Sequence, residues 1–283
     1  MSQFRARLAA NRAVGEYRHL VFITSAEIGP VRPGHFAALA VGGPDSAMLL
    51  RRAFSIHRAH AKTSAGTSIE LIVSAKGPGT KWLVAQPEGT VVDMVAPLGK
   101  PFQLPKQAVP CVLVAGGYGA APMIALAEEL RSRGCRVDVV VGASTESKLY
   151  GVLDLKRMAD SITVTTDDGT QGFQGLVSDV LPDVMRRADS AVVYACGPMG
   201  MLRAVSKVAA STGAIAQCAV EEAMACGVGV CMTCVLPVIG DDGVTRMVRS
   251  CTDGPVFRGD RVRWDAVGTV PDDALGAPTS AGH

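Results

Sequence analysis

The chain has 283 residues, 48% of them hydrophobic, and a net charge of +2. That is room for two or three domains with their own cores, without disulfide support. No Lys/Arg cluster with interleaved aromatics is present, which argues against a nucleic-acid partner, and 31 glycines beside 5% aromatics match neither a collagen repeat nor a disordered composition.

The first 22 residues carry no long apolar core after their basic positions, so no secretory leader is expected. Residues 1–104 read as β-rich. Short apolar runs such as HLVFIT, SIELIV and TVVDMVAP are separated by Gly/Pro turns, the pattern of a small antiparallel barrel. Beyond Pro105 the texture changes. CVLVAGGYG reads as a buried strand entering a glycine turn, AAPMIALAEELRSRG as a helix closed by Gly134, and RVDVVVGAS, SITVTTDDG and SAVVYACGP as further strands. MGMLRAVSKVAAS is the helix after the last of these. Strands alternating with helices predict a doubly wound parallel-sheet nucleotide domain over 105–213. The uncharged stretch Ala108–Ala127 is long enough to span a bilayer, but Gly116, Gly117, Gly119 and Pro122 make it a strand, turn and helix, with no membrane partner. A small cysteine-rich domain is expected over 214–265 and a loose tail over 266–283. The fold class is therefore multidomain β plus α/β, and the chain reads as cytoplasmic.

RRAFSI places Arg52 and Phe54 on one face of a strand, and Ala53 and Ser55 on the other. A flavin dinucleotide uses both kinds of contact: a guanidinium for the pyrophosphate, and a hydroxyl or backbone group for the ring edge. An ordinary surface Arg is the bland alternative. KGPGTKWL sets Gly79 and Thr80 where a helix begins, and such a loop lets backbone N–H groups reach a phosphate.

GGYGAAP supplies Gly116, Gly117 and Gly119 between strand and helix, the context of a dinucleotide phosphate turn. It departs from G-x-G-x-x-G by ending in Pro122. No acid closes the second strand to bind a ribose; Ser144 and Thr145 stand there, and Asp138 falls inside the strand. Ser144, Thr145 and Lys148 suit a 2′-phosphate or a solvated loop, leaving NAD and NADP both open. Cys196, Gly197 and Pro198 form a small-residue step at a strand's carboxyl end, where ligands bind in such sheets.

Cys226, Cys231, Cys234 and Cys251 have the spacing C-x4-C-x2-C-x16-C. Structural zinc sites generally show two short knuckles. One knuckle, an x4 gap and a distant fourth cysteine is the plant-type [2Fe–2S] spacing, with zinc and disulfides as the other readings. Glu221 and Glu222 lead into the loop without an assigned role.

The motifs RRAFSI, KGPGT, APLGKPF, VAGGYGAAPM, TDDGTQGFQGLVSD, YACGP, EEAMACGVGVCMTCV and CTDGPVF, in this order, resemble the ferredoxin–NADP reductase superfamily with a C-terminal [2Fe–2S] module appended. Within it they are most similar to the electron-transfer subunits of class 1B dihydroorotate dehydrogenases. The resemblance implies an FAD-binding β-barrel, an NAD-binding domain and a cluster domain, with Ile72, Val73 and Ser74 as a further flavin-contacting segment. Ser74 departs from the basic residue expected there, and Ala53 from an expected proline. It also implies an oxidoreductase subunit in pyrimidine biosynthesis, relaying electrons from the FMN of a catalytic partner subunit, in a heterotetramer of two of each, to NAD+. Other FAD/[2Fe–2S] diaphorase subunits, of the ferredoxin:NADP reductase, sulfhydrogenase or sulfite reductase type, share this layout. A zinc-stabilised nucleotide-binding module is the non-redox alternative.

Overall fold

The computed structural model describes residues 1–43, 46–63 and 66–278. Six strands close an antiparallel barrel at the N-terminus: β1 (Ser2–Val14), β2 (Tyr17–Thr24), β3 (Phe36–Leu39), β4 (Arg52–Thr63), β5 (Gly66–Val73) and, after the short helix α1 (Pro78–Val84), β6 (Val91–Leu98). The alternation read from the sequence sets the barrel interior: Phe4, Ala6 and Leu8 of β1 point inward with Leu20, Phe22, Leu39, Ile69, Leu71 and Met94, all buried.

The second unit continues with β7 (Cys111–Gly116), α2 (Ala120–Ser132), β8 (Val137–Ala143), α3 (Val152–Met158), β9 (Ser161–Thr166), β10 (Phe173–Gln174), α4 (Val177–Ala188), β11 (Val192–Cys196), α5 (Met199–Ser211) and β12 (Ile215–Ala219). The hairpin β13 (Val235–Ile239) and β14 (Thr245–Arg249) and the strand β15 (Val256–Arg258) follow. The large sheet has the order β10-β9-β8-β7-β11-β12-β15, parallel except for β15. Its central strands are apolar on both faces because helices cover both. Cys111, Leu113 and Ala115 pack with α2 and α3, while Val112, Val114 and Val140 pack with α4 and α5. The direction of winding reverses between β7 and β11, and that switch point is where a doubly wound sheet opens a crevice.

Two sequence expectations change. The segment 214–265 gives β12 and β15 to the parallel sheet, because Ile215–Ala219 pairs with β11 residue by residue. The region expected to be loose is held as far as it is described: Ala274 is buried, Leu275 N–H donates to Thr245 O at 2.8 Å, and Arg263 pairs with Asp273. The free edge of β14 offers the backbone groups that tie it down. Residues 279–283 of that tail lie outside the described residues. Ala108–Ala127 is the strand, turn and helix anticipated, and no described helix is long and apolar enough to cross a membrane.

Candidate cofactor cavity and cysteine loop

A cavity of about 940 Å³ opens between the barrel and the carboxyl ends of β7 and β11, within the size range of cofactor sites. Its wall contains these dinucleotide candidates named from the sequence: Arg52, Ala53, Phe54, Ser55, Ile72, Val73, Ser74, Gly79, Thr80, Gly116, Gly117, Gly119, Cys196, Gly197 and Pro198. The sheet and the barrel thus contribute opposite walls of one space.

On the barrel side, Arg52 leans across the first turn of α1. A Cβ on Gly79 would stand 3.1 Å from Arg52 Nε and 3.0 Å from Val41, so any side chain there would press on both walls of the cradle. Thr80 Oγ1 accepts from Gly77 N–H at 3.0 Å, which orders the turn. Among the described residues Arg52 donates only to the carbonyls of Leu50 and Arg51, and its charge is available to a phosphate.

On the sheet side, two turns are pressed together. A Cβ on Gly119 would meet Cys196 O at 2.4 Å. Burial pushes the Cys196 thiol up to about 12, helped by the Glu221 carboxylate, so it is a protonated wall and not a nucleophile. Asp138 is not at the cavity. It is buried inside β8, where it accepts from Arg136 Nε at 2.8 Å and from Ser161. Of the 2′-phosphate candidates, Ser144 and Lys148 reach the wall, with Lys148 Nζ 3.1 Å from Ser144 Oγ, whereas Thr145 turns to Ser147 at 2.9 Å.

Sequence reasoning missed an aromatic and acidic rim. Tyr118 O–H donates to Glu221 at 2.6 Å, and Lys76 Nζ sits 4.8 Å from the centre of its ring. Tyr17 packs edge-on against Tyr118 and donates to Lys148 O at 2.7 Å. Burial, then the Glu16 charge, holds the Tyr17 phenol up at about 12. Glu222 lies in the same wall, and burial shifts its carboxyl upward. Tyr118, Lys76, Glu221 and Glu222 stood inside quoted motifs without a role, and no spacing rule joins them to one another or to Tyr17.

The cysteine loop sits on the barrel. Cys234 and Cys251 are buried against Phe36, Ala38, Val95 and Leu98, while Cys226 is half-buried and Cys231 exposed. All eight cysteines are free thiols, so the disulfide reading finds no support. Cys226 Sγ accepts from the N–H groups of Val228 at 3.4 Å, Val230 at 3.3 Å and Cys231 at 3.5 Å. Burial works to raise this thiol, but those N–H groups outweigh it and bring it down to about 6. Thr233 Oγ1 donates to Cys231 Sγ at 3.1 Å and holds that thiol below its ordinary range. Burial, then Cys234, pushes Cys251 up to about 12. Four cysteine sulfurs, one receiving three backbone N–H groups and another a hydroxyl, are the kind of donor set an iron–sulfur cluster requires. The residues at both sites therefore fit the groups the sequence implied.

Barrel, doubly wound sheet, shared cavity and cysteine loop together define an oxidoreductase of the ferredoxin reductase class with an iron–sulfur module. Family models match two segments: an oxidoreductase NAD-binding domain over residues 113–207, and the iron–sulfur cluster binding domain of dihydroorotate dehydrogenase B over 221–263. Among relatives, the dihydroorotate dehydrogenase B (NAD(+)) electron transfer subunit of Desulforamulus reducens is 34% identical, covering 82% of this chain and 87% of its own length. That of Listeria innocua is 33% identical over 93% of this chain and 99% of its own. A solved NADH-dependent reduced ferredoxin-NADP oxidoreductase superposes with a TM-score of 0.79 at 26% identity, covering 93% of this chain and 91% of that one. A Neisseria gonorrhoeae ferredoxin NADP+ reductase with bound FAD and NADP shares the fold at a TM-score of 0.61 and 16% identity, over 75% of this chain and 92% of that one. The chain belongs to the family of dihydroorotate dehydrogenase B (NAD(+)) electron transfer subunits. It is an oxidoreductase subunit that carries electrons.

Proposed function

We propose that this chain relays electrons from the FMN of a dihydroorotate-oxidising partner subunit to NAD+, by way of a [2Fe–2S] cluster on Cys226, Cys231, Cys234 and Cys251 and an FAD in the cavity. The observation that carries the reading is the position of Phe36. It lines the cavity and also packs against Cys234 and Cys251, so the two carriers would be neighbours across one side chain. A flavin exchanges two electrons as a hydride or one at a time, whereas the cluster carries one, so the pair joins a one-electron donor to NAD+.

This chain's own residues bind, orient and exclude water. Arg52 and the first turn of α1 would hold the pyrophosphate of the dinucleotide. Ser55 and the Ile72–Ser74 edge would meet its ring, and the turns at Gly116–Gly119 and Cys196–Pro198 would hold the nicotinamide nucleotide. Tyr118, fixed by Glu221, covers the rim. No proton-abstracting base is required here, because the substrate's C–H bonds break in the partner. Val230 and Met232, 78% and 51% exposed beside Cys231, offer that partner an apolar contact in an assembly of two of each subunit in the cytoplasm. The working division is a barrel unit to residue 104, a nucleotide unit from 105 that includes β12, and a cysteine-loop unit from 221.

The test is co-purification with the FMN subunit. The pair should be brown, release acid-labile sulfide and reduce NAD+ when given dihydroorotate. The likeness to the NADH-dependent reduced ferredoxin-NADP oxidoreductase favours one second reading, a ferredoxin-linked reductase. Turnover of NADPH with ferredoxin, and no capture of an FMN subunit, would support that instead. A colourless protein with one zinc per chain would point to the non-redox module.

A further inference from the structure

The chain has five histidines, and three of them stand around one carboxylate outside the cofactor cavity. His19 Nε2 lies 2.8 Å from Glu70 Oε2, and His60 Nε2 lies 3.5 Å from Glu70 Oε1. His57 is the third, with its ring edge-on to His19 at 5.7 Å between centres. One donor atom each from His19, His57 and Glu70 lies within 4.8 Å of the others.

Strand geometry explains the convergence. His19 opposes Ile72 and Val21 opposes Glu70, so His19 and Glu70 are diagonal neighbours on one face of β2 and β5. The register between β4 and β5 slips between Ile56 and Arg58, which leaves His57 as the unpaired residue of a bulge. Bulges re-aim a side chain. This face meets α2: His57 Nδ1 lies 2.7 Å from Ala121 O, and Arg58 pairs with Glu128. A carbonyl only accepts, so Nδ1 carries the hydrogen and Nε2 keeps its lone pair. His57 is 3% exposed. A buried imidazole oriented by Nδ1–H to a backbone carbonyl is how metal-ligating histidines are commonly fixed.

We propose that His19, His57 and Glu70 form a binding site for a divalent first-row metal ion, zinc foremost, at the seam between the barrel and the nucleotide domain. Two imidazoles and a carboxylate are a zinc-type N/O donor set. Zinc bonds of about 2.0–2.2 Å put tetrahedral ligand atoms roughly 3.4 Å apart, so small rotamer shifts close the set. His60, 59% exposed on its side chain, or a water supplies the fourth position. All three ligands lie on barrel strands and none lines the cofactor cavity, so a bound metal would fix the His57 imidazole, and through its Nδ1–H the Ala121 carbonyl at the start of α2, without joining the electron relay.

The experiment uses the full, untagged chain with its iron–sulfur cluster assembled, so that the four thiols are filled. After equilibration with zinc and gel filtration, elemental analysis should find one zinc per chain beyond the iron. The His19→Gln and His57→Gln variants should weaken zinc binding at least about tenfold, since even outer-shell partners cost 10–100-fold. The difference spectrum of the cobalt(II)-loaded against the zinc-loaded protein should show visible d–d bands without an added thiolate charge-transfer band. The spectrum of the unsubstituted chain decides the matter even if a variant fails to fold. No retained zinc in that chain, or a cobalt difference spectrum with added thiolate charge transfer, would overturn the site.

Discussion

Replacing Gly119 with alanine tests the geometry of the nucleotide wall most sharply. Gly119 has φ −60°, a value open to any residue, so the substitution brings no backbone strain. Its added methyl would stand 2.4 Å from Cys196 O, against the 3.4 Å at which ordinary contact begins, a deficit of about 1 Å. The obstacle is backbone on both sides: 2.7 Å to Cys196 C and 3.0 Å to Gly197 N. It cannot rotate away, so the start of α2 and the end of β11 must separate. Overpacking of this kind costs about 1–3 kcal/mol of stability. A misplacement of about 1 Å near a reacting pair can cost ~100-fold in rate. Steady-state reduction of ferricyanide by NADH reads this without any partner. G119A should lower kcat/KM for NADH by about 100-fold and lower the melting temperature. Gly29→Ala, at an exposed position where a Cβ meets nothing within 4 Å, is the control. A G119A enzyme with unchanged kcat/KM and unchanged melting would refute the close approach of the two turns.

Asp138 is structural, so Asp138→Leu should lose about 1–3 kcal/mol in urea unfolding while leaving the NADH-to-NADPH preference unchanged; a changed preference would return Asp138 to the ribose. Removal of the hydroxyl donor in Thr233→Val should make the cluster's midpoint potential more negative in an EPR-monitored titration, because a hydrogen bond to a ligating sulfur favours the reduced form; an unmoved potential would separate Thr233 from the cluster. His35 is buried and its Nδ1 accepts from Arg32 N–H at 3.0 Å. Burial first, then the Arg32 and N-terminal charges, lowers it from about 6.5 to about 4. Between these values the unfolded chain binds the proton and the folded one does not, so stability should fall as pH drops from about 6.5 toward about 4. His35→Gln should flatten that slope in thermal scans, and an equal slope in both proteins would assign it elsewhere.

The glycine, proline and R-x-F-S positions stood out in the sequence because they carry strong local constraints, and those residues do share one cavity. The cysteine loop was legible from spacing alone, since a cluster demands a particular set of gaps. Tyr17, Tyr118 and Glu221 were not, because single aromatic and acidic residues have no spacing and meet only in three dimensions. The short strands β12 and β15 were read as part of the cysteine-rich region because a five-residue or three-residue run carries no period. They extend the sheet at one edge, β12 beside β11 and β15 beside β12. Helix α4 was not read although Val177, Leu181, Val184, Met185 and Ala188 recur at helical spacing on one buried face, because Pro182 within it is a residue that usually ends a helix. The His19, His57 and Glu70 cluster was equally silent, since a bulge and a strand diagonal create it.

In the proposed relay the cysteine loop is the obligatory port between the partner subunit and the nucleotide cavity. The direct measurement is stopped-flow reduction of NAD+ by dihydroorotate in the purified two-subunit complex, for the unsubstituted chain and for Cys231→Ser, with NADH-driven ferricyanide reduction followed alongside. The relay predicts dihydroorotate-dependent NADH formation in the first complex and its loss in the second, while the ferricyanide reaction survives in both. Undiminished dihydroorotate-dependent NADH formation in a Cys231→Ser complex that lacks the cluster would contradict it.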